Sequence, residues 1–181
     1  INSLNLQGGS VLTTTINGGQ TLTVTSGGIL SNGGTHVIAG ATGILTAGAG
    51  SAFDLIAHVN SGLTINAIIA NGASAVSLVK SGAGTLTLGA VNTFSGRTYI
   101  NEGVLQISSE QNLGAAPGVA TSDQLFFNGG TLRTTANVTL DDANRGISIG
   151  NSDGTITVAD GTTFTISAAN VINATVGRLI Y

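Results

Sequence analysis

The 181-residue sequence predicts an all-β chain wound coil upon coil into a solenoid. Three observations lead there. Apolar residues alternate with Thr or Ser at a period of two, Gly pairs and Asn-Gly or Asp-Gly steps interrupt the alternation, and charged residues make up only 7% of the chain. A short strand of this kind buries one narrow apolar face, so it is stable only when stacked on others like it.

Thr21-Leu22-Thr23-Val24, Thr85-Leu86-Thr87-Leu88, Thr155-Ile156-Thr157-Val158 and Thr163-Phe164-Thr165-Ile166 are four versions of one strand. Their apolar members are expected inside and their β-branched hydroxyl members outside. Turns are expected at Gly8-Gly9, Gly18-Gly19, Gly27-Gly28, Gly33-Gly34, Asn71-Gly72, Gly129-Gly130, Asp153-Gly154 and Asp160-Gly161, where Gly, Asn and Asp tolerate the backbone of a corner. The Ala-rich stretch 65–79 reads as strands, because Asn71-Gly72 interrupts it and its apolar residues miss a helical spacing. Ser109 to Ala116 reads as a short helical turn closed by Gly114 and Pro117.

The chain length suits one domain or one run of coils. At 41% hydrophobic and a net charge of −3 it lacks the composition of a disordered chain. Five basic residues, unclustered, leave no nucleic-acid surface. No apolar run reaches the length of a membrane-spanning helix, and the first residues lack the basic and apolar regions of a secretion signal, so an exported parent would carry its signal upstream. The absence of Cys rules out disulfides and thiolate metal sites, and suits a chain that crosses an oxidising compartment unfolded.

A longer echo pairs Leu63-Thr64-Ile65-Asn66-Ala67 with Phe164-Thr165-Ile166-Ser167-Ala168, and Leu78-Val79-Lys80 with Leu179-Ile180-Tyr181, both offset by 101 residues. At roughly 20–25 residues per coil this would be four or five coils, and the whole chain eight or so. The expected core includes Leu86, Leu88, Phe94, Leu105, Ile107, Leu113, Leu132, Leu140, Ile156, Val158, Phe164 and Ile166.

Gly82-Ala83-Gly84-Thr85-Leu86-Thr87-Leu88, followed by Asn92-Thr93-Phe94-Ser95-Gly96-Arg97-Thr98-Tyr99-Ile100-Asn101-Glu102-Gly103-Val104-Leu105-Gln106-Ile107, resembles the autotransporter-associated β-strand repeat. That pattern runs through a Gly-x-Gly-Thr-Leu strand, an Asn-Thr-aromatic turn, a Gly-x-Thr strand and a Gly-x-Leu strand. Asn112-Leu113-Gly114, Phe127-Asn128-Gly129-Gly130-Thr131-Leu132 and residues 161–166 look like its usual sequel. Gly89 and Val91 depart from the pattern, as does Arg97. The resemblance covers residues 63–181. Residues 1–62, punctuated by Gly-Gly pairs, are more loosely similar to self-associating adhesin passengers.

The resemblance implies a single-stranded right-handed parallel β-helix, continuous from the 1–62 coils into the 63–181 coils. It also implies a Gram-negative type V secretion passenger, exported to the cell surface by a C-terminal β-barrel translocator of the same parent chain. Gly82, Gly84, Thr85, Leu86, Leu88, Asn92, Phe94, Gly96, Thr98, Asn101, Gly103 and Leu105 then serve as structural motif residues. The implied role is to support export and stepwise folding outside the cell and to present other regions. The alternative is a direct adhesin, binding host-cell surfaces or other copies of itself through outward Thr, Ser and Asn ladders. No cofactor and no small-molecule substrate are expected.

Candidate chemistry is sparse. Gly146-Ile147-Ser148-Ile149-Gly150 spells a nucleophile elbow, but that device needs a strand-to-helix turn and a later His, whereas His36 and His58 both precede Ser148. The two His, with Asp54, fall short of a fixed three-ligand metal set and read as isolated surface or loop residues. Asp141-Asp142-Ala143-Asn144 and Asn151-Ser152-Asp153 read as Asx-bonded turns rather than calcium sites, since the Asp/Gly nonapeptide repeat is missing. Glu102, Glu110 and Asp123 lack the clustering of a glycosidase or lyase. Lys80 and Arg97 near Glu102 read as a surface ion pair. Asn92 and Asn101 are expected at corners, bonded to free backbone groups.

Overall fold

A computed structural model describes residues 1–48, 53–167, 172–174 and 177–181. Each coil visits three faces in turn. The first holds β1 (Leu4–Gln7), β2 (Thr13–Thr15) and β3 (Thr21–Val24), the second β4 (Gly28–Asn32), β5 (Thr35–Ala39) and β6 (Ile44–Ala47). The third holds β7 (Phe53–Val59), β8 (Gly62–Ile65) and β9 (Ile68–Ile69). The fourth has only β10 (Val76–Ser81) and β11 (Thr85–Leu88), and its third side is irregular. The fifth has β12 (Thr98–Ile100), β13 (Val104–Ile107) and a 3₁₀ helix over Glu110–Leu113. Strands return to all three faces with β14 (Thr121–Phe127), β15 (Thr131–Thr134) and β16 (Val138–Leu140), then β17 (Arg145–Ile149), β18 (Gly154–Val158) and β19 (Phe164–Ile166). An eighth coil opens with β20 (Ile172–Ala174) and β21 (Leu179–Ile180).

The molecule is therefore a parallel β-solenoid of about seven turns. One eight-stranded sheet runs β1-β4-β7-β10-β12-β14-β17-β20 and a second runs β2-β5-β8-β11-β13-β15-β18-β21. The third face is split into β3-β6-β9 and β16-β19. Every strand pair among the described residues is parallel, in keeping with a chain that only ever meets the preceding and following coil. Coil length varies. Ile29 pairs with Ala57, 28 residues on, whereas Thr85 pairs with Val104, only 19 residues on. The shortest coil is the fourth, whose third side is irregular.

Period two explains the packing. In β10 the pattern alternates strictly, with Val76, Leu78 and Lys80 inside and Ser77, Val79 and Ser81 towards solvent. Leu63, Leu86, Leu105 and Leu132 lie in register on four consecutive coils and are all at most 1% exposed. Burying each such side chain contributes about 1.5–3 kcal/mol. Nine of the twelve expected core residues are buried, from Leu86 to Ile156, and the helical turn expected at Ser109–Ala116 is present over Glu110–Leu113.

Three expected core residues are not. Val158 is 41% exposed, and Phe164 and Ile166 are half-buried, because few described strands lie above the seventh coil to cover them. The 101-residue echo also fails as a structural repeat. Leu63 to Ile65 lie on the second sheet but Phe164 to Ile166 on the third face, while Leu78 lies on the first sheet and Leu179 on the second. Unequal coil lengths make equal sequence offsets land on different faces. Ala168 of that echo lies outside the described residues.

Candidate functional site

The motif 82–107 spans the fourth coil and the start of the fifth, and its residues divide between strand, corner and third face. Leu86, Leu88, Phe94 and Leu105 are core, and Thr85 is half-buried on the outward side of β11.

The corner between the two long sheets explains the glycines. Gly82 (φ +76°) and Gly103 (φ +63°) occupy left-handed backbone in successive coils. A Cβ on Gly82 would lie 2.6 Å from the Val59 carbonyl oxygen, and one on Gly103 would collide with the Gly82 carbonyl oxygen. Gly84 at the same corner, and Gly96 just before β12, likewise leave no room, meeting the Ser61 and Val76 carbonyls. These corners stack backbone on backbone.

Lys80 is inside that corner. It is fully buried, and its Nζ donates to the carbonyl oxygens of Ser81 (2.9 Å), Gly82 (2.6 Å) and Glu102 (3.1 Å). Burial pulls the ammonium down to about 8, against an opposing pull from the Glu102 charge. The Glu102 carboxylate accepts from the Gly82 N–H at 3.1 Å. The expected surface pairing of Lys80 and Arg97 with Glu102 is thus incorrect. Lys80 falls on an inward position of β10, and Arg97 pairs instead with Asp123 at 2.9 Å on the outer surface. The alternation in Val76-Ser77-Leu78-Val79-Lys80 already placed Lys80 inside; the charge obscured it.

On the third face, Asn92 replaces a strand. It is 3% exposed; its Oδ1 accepts from the Ile69 N–H of the coil below at 2.8 Å, and its Nδ2 donates to the Asn112 carbonyl of the coil above at 2.6 Å. Asn112 reciprocates, its Nδ2 donating to the Ala90 carbonyl at 2.8 Å while its Oδ1 accepts from the Ser108 and Ser109 N–H groups. The last two bonds cap the 3₁₀ helix together with the Ser109 hydroxyl. Phe94 fills the space beneath, fully buried, and its carbonyl accepts from Ala115 N–H. Asn112 is a supporting residue whose role the sequence pattern did not single out. Asn101, expected alongside Asn92, is exposed, and only its main chain joins the ladder, through its N–H to the Lys80 carbonyl. Thr98 is buried at 1% exposure, and its hydroxyl has no hydrogen-bond partner among the described residues.

A second buried charge anchors the next corner. Arg145, 2% exposed, donates to the Leu113, Gly114 and Ala115 carbonyls, and its Nε lies 3.2 Å from Glu110 and 3.9 Å from Asp142. Burial pushes the Glu110 carboxyl up, against the Asp141 N–H and the Arg145 charge, and burial also lowers Arg145. Asp142 Oδ1 accepts from Asn144 N–H, the Asx turn the sequence indicates.

The remaining candidates do not converge. Ser148 lies mid-strand in β17, its hydroxyl donating to the Ser122 carbonyl. His36 is buried on β5, not on the surface as expected, because it occupies an inward position opposite Leu63. His58 is exposed on the other long sheet between Leu30 and Ser81, and Asp54 is opposite Ser77. Among the described residues no three His, Asp or Glu side chains group to hold a metal ion. What this geometry does chemically is satisfy backbone groups at corners and across an interrupted face.

Fold and motif together define a class: a parallel β-solenoid carrying an autotransporter passenger repeat. Residues 78–107 match the passenger-associated-transport-repeat family. A 95-residue stretch, 52% of the chain, is 45% identical to the adhesin BmaC autotransporter of Brucella suis biovar 1 (strain 1330) and covers 2% of that protein. The chain therefore spans a small part of the length of this relative. No solved structure matches it.

Proposed function

We propose that this segment is a structural part of a secreted surface passenger, supporting export and stepwise folding outside the cell and presenting other regions of its parent chain. The observation that carries the reading is Asn92, which bonds the coil below through Oδ1 and the coil above through Nδ2. Such a coil templates its neighbours without needing a partner molecule, and each added coil buries apolar surface as it stacks. The implied partner is the C-terminal β-barrel translocator of the same parent chain, and the implied location is the bacterial surface.

The test is in-register deletion within the parent protein. Because Leu78 pairs with Thr98, removing residues 78–97 leaves the flanking coils in register, and removing residues 4–28 does the same because Leu4 pairs with Ile29. Surface display should slow markedly for the first deletion and little for the second. Equal display rates would overturn the proposal.

The Brucella relative is named an adhesin, which supports the second reading, a direct adhesin or self-association module. Loss of cell binding or aggregation on replacing outward residues such as Thr87 and Gln106, with display unchanged, would favour it.

A further inference from the structure

We infer that His36 is an acid-sensitive clasp that holds the first coil onto the second. The imidazole is fully buried, yet it acts as part of the backbone ladder. Its Nδ1 lies 3.2 Å from the Leu12 nitrogen and accepts that N–H, while the Leu12 carbonyl accepts from Val37 N–H at 2.9 Å in the ordinary way. Its Nε2 lies 3.2 Å from the Asn32 carbonyl, so the proton resides on Nε2. The folded coil thus binds the neutral ring in one tautomer. A second proton on Nδ1 removes the acceptor and sets N–H against N–H, leaving the Leu12 donor without its partner.

Nothing nearby offsets the added charge. Residues 1–53 contain no Asp, Glu, Lys or Arg at all. The elements packed against β5 are β2, β8 and β4, and none carries a titratable side chain; the turn after β4 that closes over the ring has none either. On β7, beyond β4, Asp54 and His58 are both exposed on the outward side. The N-terminal amine is occupied with the Thr23 carbonyl on the third face. The nearest buried charge at the same corner is Lys80, a cation two coils away, which opposes a second positive charge. Protonation of the ring therefore opens the seam between β2 and β5 and leaves the motif coil closed.

The 181-residue chain, labelled with ¹⁵N, tests this between pH 7.5 and 4.5. Amide protection is corrected at each pH for intrinsic exchange, and the ring nitrogens report the tautomer and its proton uptake. Protection at Leu12 and Thr13–Thr15 should fall at least tenfold as Nδ1 takes up its proton, while Thr85–Leu88 stay unchanged. In H36N, whose amide oxygen can accept the Leu12 N–H without titrating, that fall should vanish. Flat Leu12 protection over the range would overturn the inference, whether or not the ring titrates. So would an equal loss in H36N, or a loss that extends uniformly to the motif coil. Ring titration and Leu12 exchange are both read on the unmodified chain, so they decide the matter even if H36N fails to fold.

Discussion

The N-terminal coils and the motif coil solve the same problem by different means. In the first three coils the third face is a continuous ladder, β3-β6-β9, and the polar groups within are uncharged, with Ser31 and Thr46 hydroxyls donating to the Gly62 and Ala70 carbonyls. In the motif coil the third strand is missing, the coil is shorter, and side chains take over, Asn92 and Asn112 on the interrupted face and Lys80 at the corner. A ladder distributes its hydrogen bonds over many residues, whereas a side-chain bridge concentrates them in one or two. Substitutions should therefore cost much more in the motif coil than at comparable positions in the N-terminal coils.

The largest effect is expected at the corners. G103A forces a Cβ onto the Gly82 carbonyl in left-handed backbone, so strain and collision add, and we expect a loss of about 3–5 kcal/mol. Gly19 also has a left-handed backbone (φ +75°), but open space surrounds its absent Cβ, so G19A should cost only about 1 kcal/mol. Equal losses in urea unfolding would erase the contrast. Next is Asn92. N92A leaves the Ile69 N–H and the Asn112 carbonyl unpaired and should cost about 2–3 kcal/mol, while N101A, at an exposed side chain, should stay within about 0.5 kcal/mol.

Lys80 sharpens the comparison through pH. Burial holds its ammonium near 8 in the folded chain, against an ordinary 10.5, so between those values the folded state binds fewer protons than the unfolded one. Stability should then rise with pH across that window, by about 1–3 kcal/mol, and be lost again as pH falls through 8. K80M should flatten the rise; a wild-type curve already flat from pH 8 to 10 would place the ammonium elsewhere. The smallest effect belongs to the exposed Arg97–Asp123 pair, where D123N should change stability by no more than about 0.5–1 kcal/mol and less at high salt.

Much of the fold was legible because period two and turn residues act locally. Leu86, Leu88, Leu105 and Leu132 could be assigned to the core from alternation alone, and Gly33 and Gly129 to turns from residue type. What escaped depends on which residues lie above and below. Val158 alternates correctly but is poorly covered, and Asn92 and Asn101 look alike in sequence although only one faces a gap in the third face. The charges misled in the opposite direction. Lys80 and Arg145 are polar by composition yet buried, because convergent corner carbonyls give them three acceptors each. The 101-residue echo failed because coil length is not constant, so sequence distance does not measure height along the solenoid.

Asn92 ties the motif coil to both neighbours in place of a strand. Amide exchange at Ile69 in N92A, read beside the wild-type chain, tests it most directly, since that N–H donates to the Asn92 side chain. Protection at Ile69 should fall by at least tenfold, accompanied by the loss of stability given above, with Leu22 and Leu45 on the continuous ladder far less affected. Unchanged protection at Ile69, with stability within about 0.5 kcal/mol of wild type, would contradict the account.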